Sequence, residues 1–111
     1  MICPSHGVIW RKDPLQIVNK YVEWAQDYAE NQITILYDTM WHGTREMAES
    51  IGHGLGDSGV DYKILDMSAT DRNDALVEVF RSHAVIIGSP TLNQGVLPTL
   101  APILTDLVGL K

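Results

Sequence analysis

The 111-residue sequence contains one cysteine, Cys3. A lone thiol cannot close an intrachain disulfide, so the fold must rest on packing and hydrogen bonds. It also suits a reducing compartment, here the cytoplasm, with Cys3 itself read as a small, partly buried hydrophobe. No apolar run approaches the ~20 residues that span a membrane, and the first residues have neither the basic flank nor the apolar core of a signal peptide. Positive charge is scarce. Eight Lys and Arg against 14 Asp and Glu leave a net charge of −6, which argues against nucleic acid as a partner. Internal repeats and low-complexity tracts are absent, and so is the Gly-Lys-Ser/Thr ending of a loop that grips β- and γ-phosphates. What remains is 45% hydrophobic residues, enough for the core of one domain at this length.

The pattern begins with a turn, Cys3-Pro4-Ser5-His6-Gly7, and a short apolar piece, Val8-Ile9-Trp10. Asp13-Pro14 then reads as a helix start, with Asp as N-cap and Pro at the first helical position. Leu15, Val18, Val22, Ala25 and Tyr28 follow as one apolar stripe, and Glu30-Asn31-Gln32 closes that helix. From Ile33 strands and helices alternate: strand Ile33–Tyr37, a helix near Thr44–Leu55 with Met47, Ala48, Ile51 and Leu55 inward, and strand Val60–Leu65. Gly54, Gly56 and Gly59 separate those last two. Next come a helix capped by Thr70 or Asp71 with Leu76, Val79 and Phe80 inward, strand Ala84–Ile87, and a helix around Thr99–Val108. Alternation predicts an α/β domain with a doubly wound parallel sheet and right-handed crossovers. Ala84-Val85-Ile86-Ile87 is apolar on both faces, as a central parallel strand should be.

Ligands of open α/β sheets lie beyond the C-terminal strand ends, where the strand order reverses. Two loops fall there, Thr39–Thr44 and Ser89–Gly95. Thr39 and Thr44 offer hydroxyls, Gly43 lets backbone approach an anion, and the following helix presents free N–H groups with a favourable dipole. A turn role for Thr39 and a capping role for Thr44 are the alternatives. Trp41, at the tip beside Met40, covers an aromatic ligand or meets a partner, while His42 reads most simply as a solvated loop residue. Ser89, Pro90, Thr91, Leu92, Asn93 and Gly95 supply hydroxyl, amide and main-chain groups with little bulk, fit for the polar edge of a flat heterocycle. Phosphate at one loop and a ring at the other make a mononucleotide site.

Tyr37-Asp38-Thr39-Met40-Trp41 and Gly88-Ser89-Pro90-Thr91-Leu92-Asn93 resemble the phosphate and isoalloxazine loops of the flavodoxin-like family, which binds FMN. The fuller resemblance is to flavodiiron proteins (A-type flavoproteins), which join a metallo-β-lactamase-like diiron domain to a flavodoxin-like one. Cys3 through Arg11 resembles the end of the diiron domain, and Asp13-Pro14 through Trp24-Ala25 the helix leading into the flavin domain. The resemblance implies residues 1–32 as the end of the diiron domain plus linker helix, and 33–111 as the first part of a flavodoxin-like domain truncated to about three strands. It implies FMN as cofactor, held by Thr39, Met40, Trp41, His42, Gly43, Thr44, Ser89, Pro90, Thr91, Leu92, Asn93 and Gly95. His6 matches an iron ligand that could function only in the intact parent, because the diiron site needs further ligands; His53 and His83 have no ligand spacing with it.

Two departures accompany the resemblance. His42 stands where flavodoxins usually place a glycine, and truncation turns the third strand into an edge with an uncovered apolar face. That edge leads to an expectation of a homo-oligomer or other self-association. The function implied is an FMN-binding electron-transfer module of an oxidoreductase that reduces oxygen or nitric oxide when intact, fed by a rubredoxin-like donor. The truncated chain is not expected to be active alone. The alternative is a flavin-free structural or interaction fragment with an incomplete site. A phosphoacceptor signalling domain would need an aspartate where Gly88-Ser89-Pro90 stands, and Asp38 does not replace it.

Overall fold

The computed structural model describes residues 1–26 and 28–109. At its centre is β1 (Glu30–Tyr37), whose β-branched residues suit a pleated strand buried on both faces. β2 (Asp61–Asp66) and β3 (Ser82–Gly88) flank it, both parallel, giving the order β2-β1-β3. Helices α2 (Gly43–Asp57) and α3 (Arg72–Arg81) make the crossovers, α4 (Ala101–Gly109) follows β3, and α1 (Leu15–Trp24) precedes the sheet. The doubly wound parallel sheet expected from alternation is therefore present.

Side-chain alternation along β1 divides the core. Ile35 and Tyr37 point to one face and pack with Ala48 of α2, joined by Leu55, Ile64 and Ile86. Leu36 points to the other and packs with Met67, Ala75, Leu100 and Ile103 under α3 and α4. Gly52 lets α2 approach β2 closely, since a Cβ there would stand 2.6 Å from Tyr62 Cε2 and 2.8 Å from Ile64 Cδ1. A polar network closes the N-terminal end of the sheet. Gln32 donates to Glu78 at 3.0 Å, and Glu78 also pairs with Lys63 at 2.6 Å. Arg81 grips Glu30 through two bonds of 3.0 and 2.9 Å.

Several sequence-based expectations need correction. Glu30-Asn31-Gln32 opens β1 instead of closing α1, because the Arg81 grip on Glu30 and the Gln32 network draw these residues into the sheet. α1 starts at Leu15 with Pro14 as its cap, and Asp13 makes no side-chain cap bond. The apolar stripe buries nothing: Leu15, Val18 and Val22 of α1 are exposed, as is Tyr28 beyond its end, and Trp24 instead stacks on Phe80 at 5.7 Å. On α2, Met47 and Ile51 are also exposed, while Ala48 and Gly52 form the buried line. Gly54 and Gly56 lie within that helix, and the break comes at Gly59, whose φ is +74°. Asp71, not Thr70, caps α3 by accepting the Asn73 N–H at 2.8 Å. α4 begins at Ala101, two residues later than its apolar pattern suggests. One expectation stands as stated: β3 pairs with β1 alone among the described residues, so the run that is apolar on both faces lies at an edge, with Ala84 and Ile87 exposed.

Candidate functional site

The register of β1 and β3 brings the two candidate loops together. Tyr37 pairs with Gly88 at the C-terminal end, and the Asp38 N–H donates to the Gly88 carbonyl at 3.2 Å. The chain therefore leaves both strands at the same level, one loop running into α2 and the other toward α4. Contact continues past the strands: a Cβ added at Gly88 would stand 3.0 Å from the Thr44 methyl. Gly88 is the residue that lets the first turn of α2 rest on the end of β3.

In the first loop His42 is the N-cap of α2, with φ +66° and no side-chain cap bond. The left-handed conformation that favours glycine is thus kept with a histidine in the position, at a steric cost of about 1–2 kcal/mol. The uncapped first turn leaves its N–H groups directed outward. The Thr39 hydroxyl oxygen is buried without a hydrogen-bond partner among the described residues, and a buried polar group in that state calls for a partner. A Cβ at Gly43 would meet open space. Trp41 is 87% exposed and Met40 is exposed beside it. Arg45, also in this first turn, bonds Tyr37 Oη and Asp66, both at 3.1 Å. This turn therefore presents N–H and hydroxyl groups, while the Arg45 guanidinium is already engaged. Ser68 donates its hydroxyl to Asp66 at 2.6 Å and, aided by its N–H and Arg45, holds that carboxyl below its ordinary value.

The second loop folds into a tight two-residue hairpin. Leu92 and Gly95 exchange backbone hydrogen bonds of 3.0 and 2.8 Å, and Asn93 and Gln94 between them have φ of +49° and +64°, as a type I′ turn requires. Ser89 is spent within the loop, donating to the Pro90 carbonyl and accepting the Leu97 N–H, at 2.8 and 2.9 Å. Pro90 and Leu92 are half-buried, while Thr91, Asn93 and Gly95 are exposed. The loops thus bring an uncapped helix start, an exposed indole and a small polar hairpin to the same end of the sheet.

Asp38, which stands within the first loop's motif, and Thr99 belong to the same place, though sequence alone assigns neither a role at the site. Asp38 is 7% exposed; its carboxylate accepts the Thr39 N–H at 2.6 Å and the Thr99 hydroxyl. The sequence signals were an aspartate directly after the strand and a threonine that reads as the start of the last helix, both ordinary features; the structure starts α4 only at Ala101. His6 lies apart, exposed in a shallow groove with Pro4, Trp10 and Tyr21. Among the described residues no group of three His, Cys, Asp or Glu side chains could hold a metal ion. Nor is any helix among them long and apolar enough to cross a membrane.

A family model described as Flavodoxin matches residues 35–107. A nitric oxide reductase of Moorella thermoacetica is 46% identical over 110 residues, covering 99% of this chain and 28% of that protein. An anaerobic nitric oxide reductase flavorubredoxin of Klebsiella pneumoniae is 47% identical over 113 residues, covering all of this chain and 23% of the relative. Among solved structures, a rubredoxin oxygen:oxidoreductase of Desulfovibrio gigas superposes with a TM-score of 0.79 at 39% identity, over 84% of this chain and 23% of that one. A flavodiiron protein of Giardia intestinalis gives 0.82 at 29% identity, over 94% and 26%. The chain spans about a quarter of the length of the curated relatives it matches.

Proposed function

Because the chain belongs to the flavodoxin family, we propose that it is the FMN-binding electron-transfer module of a longer flavodiiron oxidoreductase that reduces oxygen or nitric oxide. The observation that carries this reading is the buried, partnerless Thr39 hydroxyl at the mouth of an uncapped helix N-terminus, beside the loop that follows β3. A flavodoxin-like strand order puts its ligand at the β1/β3 switch point, and both loops open there. FMN supplies the redox chemistry when bound, while the protein sets its position and electronics.

In this reading Thr39, Thr44 and the N–H groups from His42 to Thr44 bind the phosphate, as hydrogen-bond donors in the field of the α2 dipole. Gly43 keeps the approach open. Trp41 and Met40 screen one side of the ring from water, and the loop Ser89-Pro90-Thr91-Leu92-Asn93 with Gly95 orients its polar edge. No side chain here has to act as acid, base or nucleophile. Residues 1–32 then form the end of a diiron domain and a linker helix, and 33–111 the first part of the flavin domain. His6 would be an iron ligand only alongside the ligands of the intact protein. Relatives named flavorubredoxin and rubredoxin oxygen:oxidoreductase support a rubredoxin-like electron donor.

FMN titration of the folded chain, followed by quenching of flavin fluorescence and by the visible spectrum, tests the reading. One-to-one saturation that weakens on Thr44→Ala or Trp41→Ala is the result expected. No binding at concentrations on the order of tens of micromolar, about −6 kcal/mol, overturns it. That outcome would favour a flavin-free interaction domain, the second reading, which draws on the open edge of β3 and the exposed stripe of α1.

A further inference from the structure

Asp38 is a buried acid whose only hydrogen-bond donors among the described residues come from two separate segments. Its own turn supplies the Thr39 N–H, and the stretch leading into α4 supplies the Thr99 hydroxyl, 61 positions away in the chain. No Lys, Arg or His among the described residues forms an ion pair with it. A carboxylate removed from water needs its donors more than a neutral group does, so each of the two bonds is costly to break. The two segments differ in how they are held. Leu97 and Leu100 bury their side chains on either side of Thr99, which anchors that segment in the core. Met40, Trp41 and His42 are exposed, so beyond Thr39 the first loop has little apolar burial to hold it.

We propose that Asp38 and Thr99 form a clasp that sets the first loop against the anchored second segment, making Asp38 a positioning residue for the ligand site. Through Asp38, Thr99 fixes the Thr39 N–H and hence the side from which the Thr39 hydroxyl enters the cradle. The ligand part of this inference rests on the FMN reading; the coupling between the loops does not.

Thr99→Val removes the hydroxyl while keeping the branched shape, and Thr99→Ser keeps the hydroxyl. Amide hydrogen exchange of the ligand-free chain reads the coupling directly, because local opening governs exchange. The valine variant should exchange at least tenfold faster at residues 39–44, and the serine variant at the wild-type rate. Faster exchange confined to residues 96–104 would mean that Thr99 serves only its own segment, and the clasp would be refuted. Should the valine variant fail to fold, Asp38→Asn with the same readout takes its place. FMN binding gives the second reading: Thr99→Val should raise Kd about tenfold and shift the visible spectrum of the bound flavin, with Thr99→Ser restoring both. In an Asp38→Ala background the valine substitution should add nothing further. Wild-type binding with an unchanged Kd and spectrum in Thr99→Val overturns the positioning role. Absence of FMN binding in wild type would overturn the flavin reading instead, and the exchange measurement alone would then decide the clasp.

Discussion

The methyl group of Thr44 lies over Gly88 so closely that a Cβ on Gly88 would sit 3.0 Å from it, with Tyr37 Cβ 3.5 Å away on another side. Thr44 is β-branched and stiff at χ1, so it has little freedom to give way. Gly88→Ala should therefore destabilise the domain by about 1–3 kcal/mol, the usual cost of overpacking, and weaken FMN binding by lifting the first turn of α2. Thermal or urea unfolding measures the first effect. Combining Gly88→Ala with Thr44→Ser, which removes the methyl, should recover most of the lost stability.

Two glycines on α2 should respond to alanine in opposite directions. Gly52 faces Tyr62 and Ile64 at distances no Cβ can occupy, whereas Gly54 faces open space. Gly54→Ala should stabilise by about 0.5–1 kcal/mol through helix propensity. Gly52→Ala should lose more than that gain, by about 1–3 kcal/mol net of packing. Urea midpoints of the two variants, measured side by side, check the contrast.

His42 keeps a backbone conformation that favours glycine. His42→Gly should relieve that strain and stabilise the folded chain by about 0.5–1 kcal/mol, since the gain of ~1–2 kcal/mol is partly offset by the freedom glycine has when unfolded. An unchanged or lowered unfolding midpoint would show that the imidazole makes compensating interactions.

Acid stability should depend on Asp66. The Ser68 hydroxyl, more than any other group, holds its pKa below the ordinary 3.8 in the folded state. The stability this contributes is complete above that ordinary value, which the unfolded chain keeps, and is lost as pH falls through the lower folded value. Unfolding midpoints between about pH 2 and 6 should therefore drop more steeply for wild type than for Asp66→Asn. Ser68→Ala should flatten the same limb by removing the largest cause of the shift.

Self-association is the remaining expectation. β3 presents an unpaired edge among the described residues, and Leu15, Tyr21 and Val22 of α1 expose apolar surface, a combination that favours pairing between chains. Light scattering coupled to size exclusion should show mass rising with concentration. A monodisperse monomer throughout would contradict it.

Much of the fold was readable because period and punctuation agree from Ile33 onward. Apolar runs of β-branched residues, the break at Gly59 and the Asp71 cap each reported a local preference that tertiary packing then reinforced. The misreadings fall where local preference met a tertiary competitor. Glu30-Asn31-Gln32 joined β1 because Arg81, from α3, holds Glu30. The stripe of α1 has helical spacing, yet the packing that was used is the stack of Trp24 on Phe80.

The same division runs through the site. Sequence alone determined the α/β alternation, the two loops and their residue types, because these depend on neighbours a few positions apart. It could not determine that His42 would take the left-handed turn, that Gly88 would carry the methyl of Thr44, or that Thr99 would spend its hydroxyl on Asp38 instead of starting a helix. Those outcomes were decided by the parallel register of β1 and β3, which brings together groups far apart in the chain. Only once both strands are paired does a buried carboxylate at the end of one meet the donor it needs from beyond the other.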